Sequence, residues 1–213
     1  MSFTALRRAV ITTARAINDS GLNPGKAGNV SARLSDGFLI TPTGVPYTKL
    51  RPAMIVRLRS DGTAPGNQLK PSSEWRFHRD IYRARPDTRA IVHVHSPYAT
   101  ALACHRRGIP AFHYMVAVAG GDSIRCAPYA TFGTQALSNY AVRALRGRRA
   151  CLLANHGLIA LGESLAAALA LAVEVEFLAH QYCLSLQLGT PVILGKREMR
   201  VILEKFKTYG NQD

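Results

Sequence analysis

Apolar residues recur along this chain with two different spacings. Leu6, Val10, Ala14 and Ile17 fall three or four apart, which puts them on one face of a helix, and Gly21 stops it. The turn-rich stretch Asn23-Pro24-Gly25-Lys26-Ala27-Gly28-Asn29 follows. Residues 30–34 and 38–40 then read as short strands joined by the hairpin signal Asp36-Gly37, and 55–58 as a third. Helical spacing returns over 73–84 and ends before Pro86. A strand over 90–95, a helix over 98–105, and helices over 134–145, 165–188 and 198–206 complete the reading, with a further apolar run at 150–154. Helices alternating with short, partly antiparallel strands predict an α/β fold, a mixed sheet sandwiched by helices. At 213 residues the chain fits one domain, residues 1–213, and no repeat, linker or low-complexity stretch divides it.

The strand over 90–95 carries the first chemistry. Successive side chains of a strand alternate faces, so Ile91, His93 and His95 point one way and Val92 and Val94 the other. Two imidazoles roughly 6.6 Å apart at Cα can both bring a nitrogen to within about 2.0–2.1 Å of one ion. His156 follows the run 150–154, at the end of a second strand candidate. Three histidines leave a coordination position open, the pattern of a catalytic rather than a structural zinc site.

Glu74 stands in Pro71-Ser72-Ser73-Glu74-Trp75-Arg76-Phe77-His78, where a turn enters a helix. Neither Ser72 nor Ser73 has it three residues on, so no capping box explains it. Two readings stand: a first-turn carboxylate favoured by the helix dipole, or a general acid/base held near the metal. Gly28-Asn29, Thr43-Gly44 and Ser72-Ser73 each combine backbone N–H groups with a short polar side chain, the material of a phosphate cradle or of an ordinary turn.

Charge and composition narrow the classes. The chain holds 27 Lys and Arg against 13 Asp and Glu, a net charge of +14 that would attract anions. Its densest basic run, Arg143 to Arg149, has no base-reading motif around it, so it reads as a solvated helix end and nucleic acid is not expected as a partner. The four cysteines, at 104, 126, 151 and 183, lack C-x-x-C spacing and lie in apolar surroundings, as buried thiols of a reducing, cytoplasmic setting would. The six uncharged residues 9–14 are too few for a signal-peptide core. Glu174, Glu176 and His180 interrupt Leu165–Leu188, so a core helix is expected there and no membrane association.

Taken together, Gly25-Lys-Ala-Gly-Asn-Val-Ser31, Leu39-Ile-Thr-Pro-Thr-Gly44, Pro71 to His78, His93-Val-His95, His113-Tyr114-Met115, Ala127-Pro-Tyr-Ala-Thr-Phe-Gly133, Asn155-His-Gly157 and Leu203 to Gly210 make the chain resemble the class II aldolase/adducin family over nearly its whole length, most nearly its bacterial fuculose-phosphate-cleaving branch. The resemblance implies a largely antiparallel sheet with helices on both faces. It also implies zinc-dependent cleavage of a 1-phosphorylated ketose to dihydroxyacetone phosphate and a short aldehyde, lactaldehyde from L-fuculose 1-phosphate. By it, His93, His95 and His156 are the zinc ligands and Glu74 the acid/base. Gly28, Asn29, Thr43, Gly44, Ser72 and Ser73 form the phosphate pocket. Tyr114 is contributed across a subunit boundary of a homotetramer, and Tyr209 comes from the C-terminal tail. Ser96-Pro97-Tyr98 after His95, and Asn155 before His156, look more like the wider family. A 5-deoxyribulose or 5-methylthioribulose 1-phosphate is therefore the runner-up substrate. A sugar-phosphate 4-epimerase, which usually has Asp where Glu74 stands, and an adducin-like binding module without the histidines rank lower.

Overall fold

The computed structural model describes residues 2–208 of the chain. Helix α1 (Phe3–Asp19) opens where the Ser2 hydroxyl accepts from the Ala5 N–H at 3.2 Å, satisfying one of the free donors of its first turn. Strands β1 (Asn29–Arg33), β2 (Gly37–Ile40) and β3 (Val56–Arg59) precede α2 (Trp75–Ala84), β4 (Ala90–Val94) and α3 (Pro97–Cys104). Then come β5 (Ile109–Pro110), β6 (Ser123–Ala127), α4 (Gln135–Ala144), β7 (Ala150–Leu153), β8 (Gly157–Gly162), α5 (Leu165–Leu188) and α6 (Lys196–Lys205).

The eight strands form one mixed sheet in the order β3-β2-β1-β4-β8-β7-β6-β5. Neighbours run antiparallel except β6 and β7, which α4 joins as a parallel crossover. Helices cover both faces, as the sequence predicts. Val30, Leu39, Val92, Val94 and Leu158 pack with α1, α3 and α5. Phe38, Ile40, Ile91 and Ile159 pack on the opposite face, with Phe77 and Ile81 of α2 and Leu137 of α4. Each such side chain, fully buried, stabilises the fold by roughly 1.5–3 kcal/mol. Ile91 and His93 share the α2/α4 face while Val92 and Val94 take the other, the alternation expected of this strand.

Two departures from the sequence reading, at β8 and at Cys104, have physical causes, while the core helix expected over Leu165–Leu188 is found. Strand β8, Gly-Leu-Ile-Ala-Leu-Gly, is buried throughout, so it lacks the alternation that marks a half-exposed strand. By length and composition alone α5 could cross a membrane, yet Ala168, Leu171, Ala172, Val175, Leu178, Ala179 and Tyr182 line the core, which makes it a core helix. Cys104, expected to be buried, is exposed at the end of α3, whereas Cys151 is fully buried in the sheet.

One of the acidic residues that interrupt α5 has structural work. The Glu176 carboxylate accepts from the Ser96 hydroxyl at 2.6 Å and from the N–H groups of Tyr98 and Ala99 at 2.8 and 2.9 Å. It thus supplies the N-terminal cap that α3 lacks from its own residues and fixes the chain immediately after His95.

Candidate metal centre

Register brings the chemistry together. Asn29 on β1 lies directly opposite His93 on β4, and His93 opposite Ile159 on β8. His95 falls just past the end of β4. Its backbone N–H donates to Asn23 Oδ1 at 2.7 Å, which ties it to the turn before β1. That close approach needs glycine twice: a Cβ on Gly28 would come within 2.4 Å of the His93 carbonyl oxygen, and one on Gly157 within 2.9 Å of the His95 ring. His156 sits in the three-residue loop between β7 and β8. Asn155, with φ of 53°, makes the left-handed turn there and anchors the loop through its N–H to the Ala103 carbonyl at 2.9 Å.

The three imidazoles converge. Their centroids stand 4.9, 4.9 and 4.8 Å apart, with each pair of rings near perpendicular, at 70°, 80° and 74°. His93 Nδ1 donates to the Leu158 carbonyl at 2.9 Å, so in the neutral ring Nε2 presents a lone pair to the cluster. His95 Nε2 lies 3.0 Å from it. Glu74 Oε2 is 3.1 Å from His93 Nε2, and Glu74 Oε1 is 3.1 Å from His156 Nε2. All four ligand atoms fall within 4.8 Å of one another.

The cluster fits a divalent ion. Tetrahedral ligands about 2.0–2.1 Å from zinc would be about 3.3 Å apart, close to these separations. Glu74 Oε1 is buried with no hydrogen-bond partner, its contact with His156 being an ion-pair distance without hydrogen-bond geometry. A proton on one nitrogen satisfies one such contact; a cation at the centre satisfies all of them. Burial pushes the Glu74 carboxyl upward, but the charge of His93 and the closeness of the His156 and His93 rings outweigh it and hold the group below the usual carboxylate range. Burial lowers His95, reinforced by His93 and His156, to about 3, which leaves it neutral as a ligand must be.

Glu74 is at the N-cap of α2, which begins two residues later than predicted, and makes no capping hydrogen bond with its side chain. Its carboxylate is turned to the histidines, and the Asn29 amide donates to its Oε2 at 3.0 Å. The carboxylate thus faces the cluster rather than the open N–H groups of the helix end.

A cleft of about 330 Å³ opens beside the cluster. Gly28, Asn29, Thr43, Gly44, Ser72 and Ser73 all line it, together with Glu74, His95 and His156, while His93 is wholly buried behind them. The Thr43 and Ser72 turns are held side by side by the Pro42–Pro71 bridge, with Ser72 N–H donating to the Thr41 carbonyl and Thr43 N–H to that of Lys70. Those two N–H groups are committed, so a phosphate there would draw more on hydroxyls, on the Asn29 amide and on Lys26, a cleft residue the sequence reading did not single out. Tyr129, Phe132 and Asn155 at the cleft appear in the sequence reading only within the segments that carry the resemblance, with no role given them, and Asn23 behind the cleft is marked only as part of a turn. Tyr114 is elsewhere. It lies 46% exposed in a separate groove with Phe112, His113, Glu198 and Phe206, and does not line the cleft that holds His95 and His156. Tyr209 lies outside the described residues.

Residues 8–183 match the family described as Class II Aldolase and Adducin N-terminal domain. The chain belongs to that family. Its three histidines and Glu74 set it among the metal-dependent aldehyde-lyases of the family rather than its binding modules. It is 57% identical over 207 residues to the 5-methylthioribulose-1-phosphate/5-deoxyribulose-1-phosphate aldolase of Rhodospirillum rubrum, covering 97% of this chain and 93% of the relative. It is 52% identical over 211 residues to the L-fuculose phosphate aldolase of Escherichia coli K12, covering 99% and 98%. Among solved structures, an L-fuculose 1-phosphate aldolase superposes with a TM-score of 0.91 at 40% identity, over 94% of this chain and 95% of that one.

Proposed function

We propose that this aldolase uses zinc to cleave a 1-phosphorylated ketose between C3 and C4, releasing dihydroxyacetone phosphate and a short aldehyde. The observation that carries this reading is a single cleft lined by Glu74, His95 and His156 of the cluster, with His93 buried behind them, and by the Asn29, Thr43–Gly44 and Ser72–Ser73 turns. His93, His95 and His156 would hold the ion, with Glu74 able to fill a fourth position; three imidazoles and a carboxylate suit zinc. As a Lewis acid the ion would offset the negative charge that gathers on the ketose oxygens when the bond breaks.

The side chains divide the remaining work. When C3–C4 breaks, the electron pair stays with C3 and the C4 hydroxyl must lose its proton to become the aldehyde. Glu74, beside the ligands and within the cleft, would return a proton to C3. Tyr114 of a neighbouring subunit would take the proton from the C4 oxygen. Its exposure, its place in a groove apart from the metal-site cleft of its own chain and the apolar stripe Val173, Phe177, Leu184 and Leu188 left open on α5 support a homotetramer with shared sites. Tyr209 is proposed as a second tyrosine at that shared site. The buried Cys151 thiol fits a cytoplasmic setting.

L-Fuculose 1-phosphate and 5-deoxyribulose or 5-methylthioribulose 1-phosphate differ only beyond the cleaved bond. The 57% identity to the Rhodospirillum rubrum aldolase favours the second group as the alternative. A panel of these phosphates, with unphosphorylated fuculose as the comparison, ranks them by kcat/KM; absence of cleavage across the panel would overturn the proposal.

Two further outcomes are expected. Ser72→Ala and Asn29→Ala should chiefly raise KM for phosphorylated substrate, since they remove binding shared by ground and transition states; an unchanged KM in both would place the phosphate elsewhere. Mixing inactive Glu74→Gln subunits with inactive Tyr114→Phe subunits should restore part of the activity, because some interfaces then pair a wild-type Glu74 with a wild-type Tyr114. No recovery despite proven subunit exchange would deny the shared site.

A further inference from the structure

Helix α2 and strand β1 carry matching polar stripes. Glu74, His78 and Tyr82 recur every four residues on one side of α2, and Asn29 and Ser31 every two on one face of β1. The stripes interleave into one buried chain. Asn29 Nδ2 donates to Glu74 Oε2 at 3.0 Å, Asn29 Oδ1 meets His78 Nε2, and Ser31 Oγ lies 2.7 Å from both His78 Nδ1 and the Tyr82 hydroxyl. None of the five is more than 6% exposed. Only Asn29 and Glu74 reach the cleft.

The chemistry of the groups gives this chain a direction. A carboxylate only accepts, so Asn29 must turn its NH₂ toward Glu74 and its oxygen toward His78. His78 Nε2 must then carry the proton. Burial pulls the His78 imidazole down to about 3, so it is neutral and Nδ1 accepts from the Ser31 hydroxyl, whose oxygen accepts in turn from Tyr82. In the other tautomer a lone pair on Nε2 would face Asn29 Oδ1. The amide would then flip and set its oxygen against the Glu74 carboxylate. In the observed orientation the second Asn29 N–H is left for an acceptor in the cleft.

We propose that His78, locked as the Nε2–H tautomer by Ser31 and Tyr82, is a positioning residue that fixes the Asn29 amide and through it both the Glu74 carboxylate and the phosphate end of the cleft. Its kinetic consequences rest on the proposed cleavage of a ketose phosphate; the tautomer does not.

Two measurements test it separately. In ¹⁵N-labelled full-length protein, the His78 ring should show a protonated Nε2 and an unprotonated Nδ1 throughout the neutral range. An Nδ1–H or doubly protonated ring would overturn the proposal even if no sugar phosphate is cleaved. In the cleavage assay, His78→Phe should keep the packing but, like Asn29→Ala, chiefly raise KM with a smaller fall in kcat, reducing kcat/KM about tenfold or more, as loss of a hydrogen bond acting on a charged group does. His78→Gln, whose amide offers one donor and one acceptor, should recover most of that loss. The double variant His78→Phe/Asn29→Ala should be no worse than Asn29→Ala alone, because both act through the same amide. Additive losses, or a Gln variant no better than Phe, would reduce His78 to a packing residue.

Discussion

His95→Ala is expected to strip most of the metal from the purified protein and to take the activity with it. The variant removes one of three imidazoles at the cluster and leaves Glu74 and His93 facing each other without the ion that reconciles their lone pairs. Loss of a partner outside the ligand shell already costs roughly 10–100-fold in metal affinity or activity, and a ligand should cost more. Elemental analysis against wild type reads the first effect and the release of dihydroxyacetone phosphate the second. A variant with normal metal content would remove His95 from the ligand set.

Glu74→Gln is the second large effect. The substitution keeps the size of the side chain and its place at the start of α2 but cannot carry a proton to and from C3. Turnover should fall about 10²–10⁴-fold, the usual contribution of a general acid/base, with KM for the phosphorylated substrate little changed. Retained binding of inorganic phosphate and of the ion would show that the cleft survives. Near-normal turnover would leave Glu74 as a buried carboxylate at a helix start and nothing more.

The converging histidines were legible in the sequence because His93 and His95 form a local pattern and His156 stands at the end of an apolar run. His-Val-His on a strand aims two rings at one point whatever surrounds it, and α2 and α5 follow from helical spacing with clear ends. Strand β8 was not legible, since a segment buried on both faces shows no period, and β6 pairs in parallel with a strand some distance along the chain. Residues that act through distant partners were equally hidden. Asn23 matters because it holds the backbone of His95, 72 positions away, and His78 because Asn29 and Ser31 lie beneath it. In the sequence they are one turn residue and one helix residue.

The basic charge also changes meaning in the fold. Read from composition, +14 suggests an anionic partner. Several of the arginines instead satisfy carbonyls that helix ends and turns leave open. Arg33 donates to the carbonyl of Tyr82 in the last turn of α2 and to those of Arg85 and Thr88 beyond it. Arg125 serves those of Ala144 and Arg146 after α4, and Arg15 those of Tyr47 and Leu50. Cations at helix C-termini are stabilising there, so this charge is partly structural.

The most direct test of a metal-dependent aldolase at this cleft is the rate of dihydroxyacetone phosphate release from L-fuculose 1-phosphate and from 5-deoxyribulose 1-phosphate. It is measured on the purified protein, after chelation, and after zinc is returned. Cleavage of at least one substrate should be lost on chelation and restored by the ion, with about one metal bound per chain. Cleavage that continues undiminished in the chelated, metal-free protein would contradict the assignment of His93, His95 and His156 as the centre of catalysis.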